Sequence, residues 1–162
     1  MIVMGLNQGM QPIAGYNFGA KLYGRVNKVL KLTIIYATAV TTFGFLVGML
    51  VPDLVVGIFT SDAELTELSV TGLRITVMFF PIIGFQMVTS NFFQSIGMAG
   101  KAIFLSLTRQ MLILLPCLLI LPQFFGVAGV WYSMPVSDLL ASLIALVMLV
   151  YQFRKFKTAA AH

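Results

Sequence analysis

ITVMFFPIIGFQMVTSNFFQSIGMAG, residues 75–100, contains no charged side chain. A helix that crosses a bilayer needs about 20 mostly apolar residues, and this stretch supplies them. Four other stretches read the same way: Met1 to Ala20, Leu32 to Pro52, Gln110 to Ser137 and Leu139 to Phe153. Of the 162 residues, 59% are hydrophobic and only 9% charged, and the mean hydropathy is +0.99. A water-soluble domain carries about 25% charged residues, so lipid is the natural solvent for this chain. Lipid demands that every backbone polar group be satisfied internally, which leaves a helix bundle or a closed barrel. Barrel strands alternate over about 10 residues. These runs are longer and uniformly apolar, so the expected fold is all-α, a polytopic transmembrane bundle of about five spans.

The spacing predicts helices near 1–20, 27–51, 61–97, 101–122 and 127–153, with a short C-terminal tail at 158–162. The interruption at Pro122 to Gly129 reads as the turn between the last two. Ser61-Asp62-Ala63-Glu64 has the form of a capping box that starts the third helix. Helix one begins at Met1 with neither an N-cap nor a charged flank, and no secretory signal is visible. We therefore expect the chain to begin inside a longer parent sequence.

Several chemistries lack their residues. The only cysteine, Cys117, lies in a Leu-rich run and reads as a small hydrophobe. The only histidine is the terminal His162, so neither a His/Cys metal cluster nor a Ser/His/Asp triad can be assembled. No enzymatic activity, cofactor or resident metal is expected.

The net charge of +5 is concentrated at junctions. Lys21, Arg25, Lys28 and Lys31 lie between helices one and two, Lys101 between three and four, and Arg154, Lys155 and Lys157 after five. A five-helix path puts all three places on one side, and the positive-inside rule makes that side cytoplasmic. The opposite side receives Asp53, Asp62, Glu64 and Glu67. Nucleic-acid binding is disfavoured, because the basic residues do not form a patch on a soluble face.

Polar side chains within spans face the bundle interior or a watery cavity. Gln86, Ser90 and Gln94 repeat at four-residue spacing, with Asn91 beside them. In helix one, Gln8, Gln11 and Gly15 share a face, and Pro12 removes a backbone donor. Each amide is a candidate for the substrate or ion pathway. The plainer alternative is interhelical glue, worth about 0.6 kcal/mol on average.

Asp138 is the one acid well inside a span. It falls about 16 Å into its helix, near the midplane, on a side made small and polar by Ser133, Ser137, Ala141, Ser142 and Ala145. An intramembrane acid costs about 2.5–3.5 kcal/mol on insertion scales and is a functional candidate by default; packing is the alternative role. Arg109 is the available partner, but about 12 Å from the cytoplasmic face its cheaper arrangement is to snorkel outward.

Three segments go beyond generic hydrophobicity. Gln11-Pro12-Ile13-Ala14-Gly15-Tyr16-Asn17-Phe18-Gly19-Ala20 with Arg25, Pro81 through Gln94-Ser95-Ile96-Gly97 with Lys101 and Arg109-Gln110, and Gly126-Val127-Ala128-Gly129-Val130-Trp131 with Pro135 and Ser137-Asp138 together resemble the multidrug and toxic compound extrusion (MATE) family. The resemblance covers essentially the whole chain and rests on the order and spacing of the segments. It implies helices eight to twelve of a twelve-helix transporter, most of the second of two six-helix lobes, with the N-terminal lobe as a missing partner. It implies antiport in a bacterial inner membrane: a proton or Na⁺ enters while a drug-like, often cationic, compound leaves. Some members of the family place a cation-coordinating acid on the tenth helix. The matching stretch, about 72–95, has none, which speaks against a Na⁺ site in this lobe. A related lipid-linked oligosaccharide flippase is the alternative, disfavoured because Arg109 alone would line its cleft. A non-transporting membrane subunit is the third reading.

Overall fold

The computed structural model describes residues 1–60 and 62–159. Among them every regular element is helical: α1 Ile2–Gly19, α2 Tyr23–Leu50, α3 Pro52–Gly57, α4 Ala63–Val77, α5 Phe80–Ser95, α6 Ala99–Leu107, a π segment Thr108–Leu114, α7 Leu115–Phe125 and α8 Val127–Ala159. Three helices are long and apolar enough to cross a membrane: α2, Ala99–Phe125 and Val127–Phe156. The pair Leu65–Val77 and Phe80–Ser95 makes a fourth, bent span. α1 is less apolar, because Asn7, Gln8, Gln11 and Asn17 interrupt it.

α5 is the axis of the bundle, packed against α1, α2, α6 and α8. Its Val88, Phe92 and Phe93 are fully buried, as are Ala14 on α1, Val26, Leu30 and Ala37 on α2, and Ala145 on α8. Small residues let these helices approach. A Cβ on Gly84 would stand 2.7 Å from Thr41 Oγ1 and 3.0 Å from the Ala37 carbonyl oxygen, so α5 and α2 meet where only glycine fits. In lipid, where apolar burial between helices gains little, such close van der Waals packing drives association. Most large apolar side chains outside this core are exposed, among them Phe43, Leu119 and Val147. Lipid solvates such surfaces, so their exposure carries little cost in a bilayer.

The helix expected over 61–97 is in fact two, α4 and α5, meeting at a bend of 49°. Pro81 causes it: without an N–H it cannot bond the Val77 carbonyl, and its ring crowds the preceding turn. Ser61 and the side chain of Glu64, which the capping box needs, lie outside what is described. Between them, Asp62 accepts a bond from the Leu65 N–H at 3.2 Å through its carboxylate. This satisfies one of the donors left open at a helix start. A short helix, α3, occupies part of the expected loop, with Pro52 in its first turn. α2 begins at Tyr23 rather than 27. The turn expected at 122–129 is tighter: Pro122 lies inside α7, and Gly126 alone, at φ 59°, reverses the chain. α8 runs on to Ala159, through the basic residues after 153, because Arg and Lys are good helix formers.

The two ends of the bundle differ in charge. At one end, Tyr23 stacks on Phe156 at 5.1 Å, with Phe18 beside both, which brings the α1–α2 turn next to the end of α8. Lys101 reaches Gln152 in the same region. Lys21, Arg25, Arg154 and Lys155 share that end. At the other end, a Cβ on Gly72 would meet the Trp131 ring at 3.1 Å, joining α4 to the start of α8. Asp53, Asp62 and Glu67 lie on α3 and the start of α4.

Candidate functional site

Arg109 does not snorkel. Its Nε donates to Asp138 Oδ1 at 2.7 Å. The reason is local. Pro116, in the first turn of α7, cannot donate to the carbonyl four residues back, and π turns are one way a membrane helix re-satisfies groups that proline frees. The chain from Thr108 to Leu114 takes that π form. Arg109 is the second residue of that segment, and its side chain faces α8. π turns are rare and gather at functional sites. On α8, Ser133, Ser137, Asp138, Ala141, Ser142 and Ala145 are all buried, so the carboxyl lies on the packed side of its helix.

Beside the pair lies a cavity of about 210 Å³, lined by Thr76, Phe80, Ile83, Arg109, Gln110, Leu114, Met134, Ser137 and Asp138. Four elements meet there: the end of α4, the start of α5, the π segment and α8. Two of them are irregular, and for the same reason: Pro81 breaks one, and the π segment ends just before Pro116. The cavity walls mix four apolar side chains, Phe80, Ile83, Leu114 and Met134, with hydroxyls. Thr76 donates to the Gly72 carbonyl at 2.8 Å, and Ser137 to the Met134 carbonyl at 2.9 Å. Both partners line the cavity, and the base is the more exposed of the two, 32% against 7% for the Asp138 side chain.

The amides from the sequence do not gather into one site. Gln11 Nε2 donates to Asn91 Oδ1 at 3.2 Å, which ties α1 to α5, and Asn91 Nδ2 in turn donates to the Met87 carbonyl. Gln86 is buried, with its Oε1 unbonded among the described residues. Gln8 and Gln94 are exposed. The row Gln86, Ser90, Gln94 therefore runs from core to surface, with Ser90 donating weakly to the Ala102 carbonyl at 3.4 Å. Two further buried amides stand outside that row. Asn7 is 3% exposed and neither of its amide atoms has a partner among the described residues. Gln152 is equally buried and accepts from Lys101 Nζ at 2.6 Å. The signal for Gln152 was its place one helical turn before the basic end of α8.

Three comparisons bear on this arrangement. A family model described as MatE matches residues 1–120. The chain belongs to the MatE family. Among curated relatives of this MatE chain, the multidrug export protein MepA of Staphylococcus aureus (strain MSSA476) is 28% identical over 154 residues. A MepA of Staphylococcus saprophyticus is 23% identical over the same length. Each alignment covers 95% of the chain and 34% of the relative, so the MatE chain spans about a third of the length of the relatives it matches. A solved structure of the MATE multidrug transporter DinF-BH in a ligand complex is 38% identical, with a TM-score of 0.88 over 95% of this chain and 34% of that one. Inward-facing and outward-facing forms of a multidrug resistance MATE family transporter share the fold at 20% and 18% identity, with TM-scores of 0.88 and 0.85. They cover 96% of this chain and 37% and 36% of theirs.

Proposed function

We propose that this chain forms most of one half of a secondary active multidrug exporter in a bacterial inner membrane. Its cargo is an organic, often cationic, drug-like compound, expelled in exchange for a proton or Na⁺. The 21–31 loop and the C-terminus face the cytoplasm, in line with the basic residues gathered at that end of the bundle. The missing N-terminal lobe supplies the other wall of the path.

The observation that carries this reading is the Arg109–Asp138 pair beside an open cavity of about 210 Å³, at the meeting of a broken span and a π segment. A charge pair held at mid-membrane is costly, and irregular backbone at that depth is tolerated where it is buried in protein or lines a watery cavity. Transporters place their sites at such interruptions and alternate access by rocking one half against the other. The similar TM-scores to inward-facing and outward-facing structures, 0.88 and 0.85, support a half that turns as one body. In this reading Asp138 exchanges Arg109 for the coupling ion during the cycle.

The test is a chimera in which this chain replaces the matching third of MepA. Drug efflux is measured in everted vesicles and normalised to folded protein recovered in detergent. Efflux by the chimera and its loss in Asp138→Asn is the expected result. Efflux undiminished in Asp138→Asn removes Asp138 from the mechanism and leaves Gln86, Asn91 and Gln94 as candidates.

A further inference from the structure

We infer that the cavity beside Arg109 binds an oxyanion, the carboxylate of an aromatic substrate, through the guanidinium nitrogens that Asp138 leaves free. The inference rests on the reading of this cavity as part of a drug path. It assigns that path a chemistry which a purely cation-selective site would lack.

The hydrogen-bond inventory of the walls carries it. Asp138 takes Arg109 through a single bond, Nε to Oδ1. That leaves the Nη donors of Arg109 without a partner among the described residues. Gln110 is exposed on the same wall, and its side-chain amide is likewise unbonded among them. The hydroxyls of Thr76 and Ser137 spend their protons on backbone carbonyls within their own helices. They have no donor left for a ligand, and neither opposes an anion with a formal charge. The charged donor open to a ligand in the cavity is thus a guanidinium whose planar fork matches a carboxylate, with Asp138 Oδ2 as the charged acceptor beside it. Phe80, Ile83, Leu114 and Met134 form the remaining walls and suit an aromatic ring attached to that carboxylate. A lipid phosphate offers similar chemistry. Lys101 stands near the start of this span, however, and Arg109 lies about two helical turns further along it.

Other ionisable groups on the elements around α8 do not enter the cavity. Lys101 is bonded to Gln152, and Arg74 is exposed at the end of α4. Cys117 is on α7, and neither it nor Glu67 lines the cavity. A ligand carboxylate thus meets Arg109 as the cation that lines the site, with Asp138 held to it through Oδ1.

The test is direct binding by the full chain in phosphatidylcholine nanodiscs, read as fluorescence anisotropy. The probes are a cationic rhodamine ethyl ester and the same dye with its carboxylate free. The free acid should bind about tenfold more tightly or better, the scale of one charge-assisted fork. Arg109→Lys, which keeps the charge and loses the fork, should remove most of that preference. Equal affinities in the unaltered chain, or a preference retained by Arg109→Lys, overturns the assignment. Should Arg109→Lys fail to fold, competition decides: benzoate displaces the free acid and benzyltrimethylammonium does not. Displacement by both or by neither overturns it. Adding phosphatidylglycerol to the discs separates the sources. A preference that persists supports a substrate carboxylate, and one that vanishes assigns the donors to headgroup phosphate and overturns the substrate reading. Binding with no efflux by the MepA chimera would sink the exporter and leave this site; efflux with no acid preference would do the reverse.

Discussion

Lys101 Nζ lies 2.6 Å from Oε1 of the buried Gln152 and 5.2 Å from the centre of the Phe93 ring. One ammonium thereby joins α6, α8 and α5 at the basic end of the bundle. Lys101→Ala leaves the Gln152 carbonyl buried without its donor. Such an orphan costs about 1–3 kcal/mol. The double variant Lys101→Ala, Gln152→Leu removes both partners and should recover most of that loss. Thermal melts in detergent check it; additive losses in the double variant would mean that the bond contributes nothing.

The Arg109–Asp138 pair should show the same asymmetry. Asp138→Leu strands the guanidinium, at a cost of about 1.5–3 kcal/mol for a lost bond to a charged group. Arg109→Met combined with Asp138→Leu should be more stable than Asp138→Leu alone, since replacing a whole ion pair by apolar groups is often neutral or stabilising. Denaturation in mild detergent measures both. A double variant weaker than the single would show that the pair holds the π segment in place by more than charge compensation.

Gly84→Ala should loosen the α2–α5 contact. The added methyl meets the Ala37 backbone, which cannot rotate away, and overpacking of this kind costs about 1–3 kcal/mol. Gly24→Ala, in open space on α2, should cost nothing by the same melt. Similar losses at both sites would refute close packing as the cause at Gly84.

Topology is checked with single cysteines in a Cys117→Ala background. Cysteines at positions 28 and 154 should be protected from an impermeant thiol reagent in intact cells, and one at 67 labelled. All three side chains are exposed, so accessibility within the protein does not confound the result. Labelling at 28 or 154 without labelling at 67 inverts the orientation.

Apolar runs as long as 32–52 leave only a helix in lipid, so the membrane class and the bundle could be read from residues alone. The bend between α4 and α5 was signalled by Pro81, but proline in a span permits either a kink or a clean break, and Phe79 to Phe85 is apolar on both accounts. Asp138 stood out because its charge is alone in an apolar run. Its bond to Arg109 did not, because a base about 12 Å from the membrane face has snorkelling as its cheaper arrangement, and which way the side chain extends depends on the packing of α8 against it. The amides misled in a different way. Four-residue spacing puts Gln86 and Gln94 on one helix face, but whether a face is core or surface depends on neighbours that sit far off in sequence.

The hydrogen bond from Gln11 to Asn91 spans 80 residues of sequence. A ribosome adding about 5–20 residues per second leaves α1 waiting on the order of 4–16 s before α5 exists to receive it. Through that interval the Gln11 amide must find water or a chaperoning surface at the insertion machinery, since its partner Asn91 does not yet exist. The first helix of this chain to be made therefore cannot settle on its bonded partner until α5 has followed it.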